Sequence, residues 1–280
     1  MGATPPVPAK GGDAIVCATM TLLDVEKPLI GMIHLRALAG SVDYAREGTK
    51  PILDAALRDL YALESGGADA VIVENLNDAP YAKLAPRETL AMMAVVVHVL
   101  AERAHLPIGV NVLRNDGLAA MAIAAATGAS FVRVNVFCGV AFTDQGTIEG
   151  SARALQQLQR DLGTKTKIFA DIHVKHAAHL DRIEEAAVDA ARNGPDALIV
   201  SGIGTGRRTQ PEDLQSVKQA VSLPVLVGSG VRIDNVSTYR EADGFIVGTA
   251  LKEDGNLDAP IDVDRVRAMS EAVSTLRDAE

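Results

Sequence analysis

Residues 68–75 read ADAVIVEN. The chain is apolar without a break from Ala70 to Val73, and the run ends on Glu74 and Asn75. Just before it, Gly66-Gly67 closes an Ala- and Leu-rich helical pattern that starts near Pro51. A short, near-continuous apolar strand next to an amphipathic helix is the mark of a parallel sheet whose two faces are both covered.

The same unit recurs along the chain. Strands are predicted at 28–35 (PLIGMIHL), 68–75, 108–113 (IGVNVL), 131–137 (FVRVNVF), 167–174 (KIFADIHV), 197–202 (ALIVSG), 224–230 (PVLVGSG) and 244–250 (GFIVGTA). Helices are predicted over about 51–65, 86–104, 116–127, 148–161, 180–192, 211–220, 235–240 and 263–276. Eight strand–helix units in about 250 residues predict a single (β/α)8 TIM barrel. A doubly wound open sheet would carry a Gly-rich fingerprint after the first strand, and HLRALAG is not G-x-G-x-x-G. The barrel is expected to occupy residues 14–280. The first residues, MGATPPVPAKGG, read as a disordered tail covering 1–13.

Composition narrows the function. The chain has 280 residues and a formal charge of −9, which argues against nucleic acid or an anionic membrane as partner. No apolar run reaches the roughly 18 residues that span a bilayer. The stretch Ala14 to Leu23 lacks the basic start and small-residue cleavage site of a secretory signal. Cys17 and Cys138 match no zinc or redox spacing, so a cytoplasmic setting is expected. Self-association as a homo-oligomer stays open.

In such barrels chemistry sits at the C-terminal ends of the strands, where inward side chains alternate with outward ones. The inward polar candidates are His34, Glu74 with Asn75 beside it, Asn111, Arg133, Asn135, Asp171, His173, Lys175 and Ser201. In DIHVKHAAH, 171–179, strand alternation puts Asp171, His173 and Lys175 on the lumen face and turns Ile172 and Val174 toward the helices. His176 then lies just past the strand, within reach of the pocket. His179 opens the next helix and is expected to be exposed. The three-residue histidine spacing reads as incidental. A lone buried polar residue can be structural, but such a set converging on one barrel end favours function.

A phosphate site is a separate signal. VGSGV, 227–231, and VGTAL, 247–251, follow the seventh and eighth strands, where barrels of this kind hold phosphates. Gly228, Ser229, Gly230, Gly248 and Thr249 are therefore the expected phosphate-binding residues. SGIGTG, 201–206, is a third Gly-rich loop. Arg207 and Arg208 beyond it read either as phosphate partners or as solvated loop charges.

The stretches PLIGMIHLRALAGS, GGADAVIVENLNDAPY, IGVNVLRND, FVRVNVFCGVAFTDQGTIEG, KIFADIHVKHAAH and DGFIVGTALK together resemble the BtpA family (BtpA/SgcQ) over nearly all of the chain after the tail. The resemblance implies a TIM barrel related to ribulose-phosphate-binding barrels. It also implies that His34, Glu74, Asn75, Asn111, Arg133, Asn135, Asp171, His173, Lys175 and His176 fall on family motifs. The loop SGIGTGRRTQPEDL departs from the pattern and leaves the substrate open. The family name comes from a cyanobacterial factor required for stable photosystem I, and another branch sits among carbohydrate-metabolism genes.

Three readings follow. The first is an enzyme on a phosphorylated sugar or nucleotide-like small molecule, with lyase, isomerase or glycosyl-transfer chemistry. Lys175 would form a Schiff base or stabilise an enolate. Asp171 and His173 would act as acid and base, Glu74 as a second carboxylate, His34 as a further catalytic group and Arg133 as an anion clamp. Asn75, Asn111, Asn135, His176 and Ser201 would hold substrate. The second is a non-catalytic assembly or stability factor for a membrane complex such as photosystem I. The third is a divalent-metal enzyme using Glu74, Asp171 and His173. No cofactor is required by the residues present.

Overall fold

The structure is a computed structural model that describes residues 23–202, 204 and 208–278. The tail, Cys17 and Arg207 lie outside the described residues, as does the start of the expected domain at residue 14.

Eight parallel strands close into a barrel. They are β1 (Leu29–His34), β2 (Ala70–Glu74), β3 (Ile108–Asn111), β4 (Phe131–Val134), β7 (Lys167–Ile172), β9 (Ala197–Val200), β10 (Val225–Val227) and β11 (Gly244–Val247). Their order around the barrel is β1-β11-β10-β9-β7-β4-β3-β2. Helices α1 (Thr49–Gly66), α2 (Arg87–Arg103), α3 (Gly117–Thr127), α4 (Ala152–Asp161), α5 (Ile183–Arg192), α6 (Pro211–Ala220) and α7 (Val263–Arg277) cover it. The unit after β10 is a single 3-10 turn, Val236–Tyr239, rather than an α-helix.

Local chemistry sets several boundaries. Gly67 closes α1 in the left-handed conformation, its N–H bonding the carbonyls of Glu64 and Leu63. Asp116 caps α3 by accepting from the Ala119 N–H at 3.1 Å. Pro211 opens α6. Asp262 caps α7 through the N–H groups of Asp264 and Arg265.

The core has two layers, as strand alternation requires. Outward residues such as Leu29, Ile33, Val71, Val73, Val132 and Ala170 pack under the helices. Inward residues Ile30, Met32, Ala70, Ile72, Phe131, Phe169, Ala197, Ile199, Leu226 and Ile246 fill the barrel. Phe131 and Phe169 stack there with centroids 4.6 Å apart. The Phe131 ring lies over Gly109, where an added Cβ would come within 2.3 Å of a ring carbon. Two aromatic rings therefore fit inside the barrel because the neighbouring strand contributes no side chain at that level.

The segment after the fourth strand also differs from the sequence expectation. The fourth strand stops at Val134, because the Asn115 side chain takes over at Val136: it donates to the carbonyl at 3.0 Å and accepts from the N–H at 2.8 Å. The chain then forms a hairpin, β5 (Val140–Thr143) and β6 (Gly146–Glu149), turning at Gly146 with φ 89°. Ile148, expected to begin a helix, lies in this hairpin and packs with Val136, Ala141 and Val174. Gly150 seats the hairpin base against the Cys138 backbone, where a Cβ would sit 2.3 Å from Cys138 Cα. A two-residue strand, β8 (Ala177–Ala178), joins β5 on its other side. Among the described residues no helix is long and apolar enough to cross a membrane.

Candidate active site

The apolar filling of the barrel gives way to polar residues at the C-terminal ends of the strands. His34 stands in register with Glu74, and Glu74 with Asn111, so strands β1, β2 and β3 each give one polar side chain to the same layer. Arg133 of β4 and Asp171 of β7 lie beside them, both buried.

Arg133 and Asp171 form a two-pronged pair. Arg133 Nε donates to Oδ1 and Nη2 to Oδ2, each at 3.1 Å. Asn135 Nδ2 donates to the same carboxylate at 2.7 Å. Asn111 Nδ2 in turn donates to Asn135 Oδ1 and to the Arg133 carbonyl, both at 3.0 Å. Burial works against the Arg133 charge, but Asp171 and Glu74 outweigh it and raise its pKa further. Asp171 is thus fully occupied in fixing the guanidinium.

Above this pair opens a cavity of about 490 Å³. Its lining includes Met32, His34, Glu74, Arg133 and Lys175. The lining continues with Gly228, Ser229 and Gly230 after β10, and Gly248, Thr249 and Ala250 after β11. Gly228 has to be glycine there, because a Cβ would stand 2.4 Å from an Ile199 methyl and 3.1 Å from Ser201 Oγ. Arg232 and Arg265 complete the rim. The volume falls in the usual range for a small-molecule site.

The titratable groups are displaced from their ordinary values. Burial lowers the His34 pKa to about 3, helped by the charges of Lys252, Lys175 and Arg133, so the imidazole is neutral. Burial raises Glu74, against the pull of Arg133 and Lys175. Burial lowers Lys175, and the Arg133 charge lowers it further. His34 Nε2 lies 3.8 Å from Glu74 Oε1. Among the described residues, His34 Nδ1, Asn111 Oδ1 and Ser201 Oγ are buried without a partner. Buried polar atoms in native proteins are normally satisfied, so such orphans at one barrel end suit a ligand that is polar on several sides.

Several expected residues stand elsewhere. The fifth strand ends at Ile172, and His173 takes a left-handed conformation, φ 53°. Alternation fails at that point. His173 turns away from the cavity and bonds Asp181 Oδ1 at 3.1 Å. Lys175 reaches the cavity from the loop beyond the strand, its carbonyl held by Arg114 Nη2 at 2.6 Å. His176, also left-handed at φ 58°, is exposed and outside the cavity wall. His179 precedes α5 and is half-buried rather than exposed. Asn75 faces Asp78 and accepts from the Leu113 N–H at 2.7 Å, bracing the loop after β3. Asn135 and Asp171 border a second, smaller cavity instead of the main one.

The expected metal set of Glu74, Asp171 and His173 is not brought together, because the strand exit separates His173 and the Arg133 pair occupies Asp171. The one close group of three such ligands among the described residues is His173, His179 and Asp181. Arg208 is a solvated loop charge paired with Asp234 at 3.8 Å. The sequence reading missed Arg232 and Arg265. Arg232 lies two residues beyond the GSG turn and could have been suspected, whereas nothing local marks Arg265 on the last helix.

Fold and cavity define the class: a (β/α)8 barrel with a polar, ligand-sized cavity at the C-terminal mouth of its strands. The sequence pattern of the BtpA family matches residues 25–275, and the chain belongs to that family. It is 47% identical over 253 residues to an uncharacterized protein of Thermococcus kodakarensis, covering 90% of this chain and 97% of that one. It is 40% identical over 253 residues to the photosystem I biogenesis protein BtpA of Synechocystis, covering 88% of each chain. Among solved structures it resembles KGPDC from Streptococcus mutans in complex with D-R5P, with TM-score 0.58 and 14% identity over 89% of this chain and 98% of that one. It also resembles tryptophan synthase from Mycobacterium tuberculosis, with TM-score 0.58 and 20% identity over 90% and 92% of the two chains. At those identities the likeness is one of fold.

Proposed function

We propose that the protein is an enzyme acting on a small phosphorylated carbonyl compound, with lyase or isomerase chemistry through a Schiff base on Lys175. One observation carries this reading. A single cavity is lined both by two glycine-rich loops and by Lys175, Glu74 and Arg133. Barrels hold phosphates at the loops after the seventh and eighth barrel strands, and the rim arginines Arg232 and Arg265 add cationic partners.

With the phosphate on the glycine loops, the carbonyl carbon faces Lys175. A lysine must be neutral to attack, and burial beside Arg133 favours the neutral amine. The amine nitrogen bonds to the carbonyl carbon, passes one of its two protons to the carbonyl oxygen and keeps the other. The carbonyl oxygen takes its second proton from Glu74, whose protonated form burial favours, and leaves as water. The resulting iminium accepts the electron pair of an adjacent C–H or C–C bond as it breaks. Glu74 and neutral His34 are the groups placed to move protons there. Arg133, fixed by Asp171, clamps developing negative charge. Asp171 and His173 therefore do not serve as the acid–base pair.

Solved barrels of the same fold include one in complex with D-R5P and phosphoribosyl anthranilate isomerases, which supports a phosphorylated ligand. The test is borohydride reduction in the presence of a panel of ketose and aldose phosphates, followed by mass spectrometry. An adduct on Lys175, absent in Lys175→Met, is the expected result. Absence of any adduct with compounds that bind would remove the Schiff base and leave a different chemistry in the same pocket. The name of the Synechocystis relative supports a second reading, a factor for a membrane complex. A Lys175→Met chain that restored the cellular role in full would favour that one.

A further inference from the structure

We propose that His173, His179 and Asp181 form a binding site for one divalent transition-metal ion of the zinc, cobalt or nickel class. The ligand atoms of these three residues all lie within 4.8 Å of one another. They come together because the chain leaves β7 in a left-handed turn at His173, pairs β8 with β5, and returns before α5. The two imidazole rings stack, with centroids 4.4 Å apart and planes 12° from parallel.

A second feature points the same way. His179 Nε2 lies 3.0 Å from the Val174 carbonyl, which can only accept, so Nε2 carries the proton. That fixes the tautomer and leaves Nδ1 as the nitrogen with a free lone pair. A ligating histidine characteristically anchors its other ring nitrogen on a carbonyl or carboxylate in this way. The group also borders a cavity of about 160 Å³, lined further by Cys138 and Asp189, which leaves room for water as a fourth ligand. Two imidazoles and one carboxylate suit a borderline first-row ion rather than magnesium or calcium, which prefer all-oxygen sets. An ion here would tie together the two ends of the loop that carries Lys175.

The test uses full-length protein without a histidine tag, treated with chelator and titrated with zinc chloride by calorimetry and with cobalt chloride by visible absorption. One equivalent per chain is expected, with cobalt absorption typical of a low-coordinate nitrogen and oxygen site. His173→Ala, His179→Ala and Asp181→Asn should each weaken binding at least about tenfold, since even loss of an outer partner of a ligand costs that much. Asp181 is exposed, so its variant keeps the fold if the histidine variants do not. His98→Ala removes the exposed His98–Glu102 pair on α2 and should change nothing. No binding by the wild-type chain would overturn the site. So would unchanged affinity and stoichiometry in Asp181→Asn and His173→Ala.

Discussion

His34 shows how burial turns one residue into a constraint on the whole chain. Its ring is shut inside the barrel end, and its pKa is pushed from 6.5 to about 3, by burial first and then by nearby cations. A histidine whose folded pKa is depressed contributes stability that is complete above its unfolded pKa. That contribution is lost as the pH falls from about 6.5 toward about 3. Glu74 works in the opposite sense, because its raised pKa adds stability as the pH falls. The His34 contribution therefore has to be read as a difference between chains. The melting temperature of the wild type should drop more between pH 7 and about pH 4.5 than that of His34→Gln. Equal drops in calorimetry would show that the imidazole carries no such cost. The inward placement of His34, Glu74, Asn111 and Arg133 was legible in the sequence, since alternation along a strand is a local rule. That Asn75 braces a loop instead was not, because its partner Leu113 lies on a different strand–helix unit.

At the scale of elements, strand alternation also governs packing inside the barrel. Phe131 on β4 sits over Gly109 on β3 and stacks on Phe169 on β7. Gly109→Ala places a methyl into an occupied ring position. Overpacking of this kind costs about 1–3 kcal/mol, so urea unfolding should show a lower midpoint with an unchanged slope. An unchanged midpoint would mean the ring shifts freely. The order of helices and barrel strands follows from hydrophobic period and from glycine and proline punctuation. The β5–β6 hairpin does not. Its strands are four residues each, Ile148 fits a helical start equally well, and its apolar face is completed by Val136 and Val174 from other segments.

For the whole molecule, a ligand held in the cavity would couple its binding to stability. A sugar phosphate that binds only the folded barrel should stabilise it by about 2.7 kcal/mol at a hundred times its dissociation constant. The melting temperature with ribose 5-phosphate or ribulose 5-phosphate should rise with concentration, and much less in a Ser229→Ala, Thr249→Ala double variant. No rise with any sugar phosphate, set against an intact melting transition, would remove the phosphate reading of the two loops. The sequence by itself determined the eightfold repeat, the closed parallel barrel, the polar layer at its C-terminal end and the glycine loops after the seventh and eighth barrel strands. Each of these depends on periodicity or on residue type within one unit. Only the tertiary structure decided where the chain goes after Ile172. A single left-handed residue ends the alternation there, so Lys175 enters the cavity from a loop while His173 leaves to meet His179 and Asp181. Arg265 reaches the rim from the last helix for the same kind of reason. Backbone handedness at one residue, and the approach of segments far apart in the chain, are set by packing and not by local pattern.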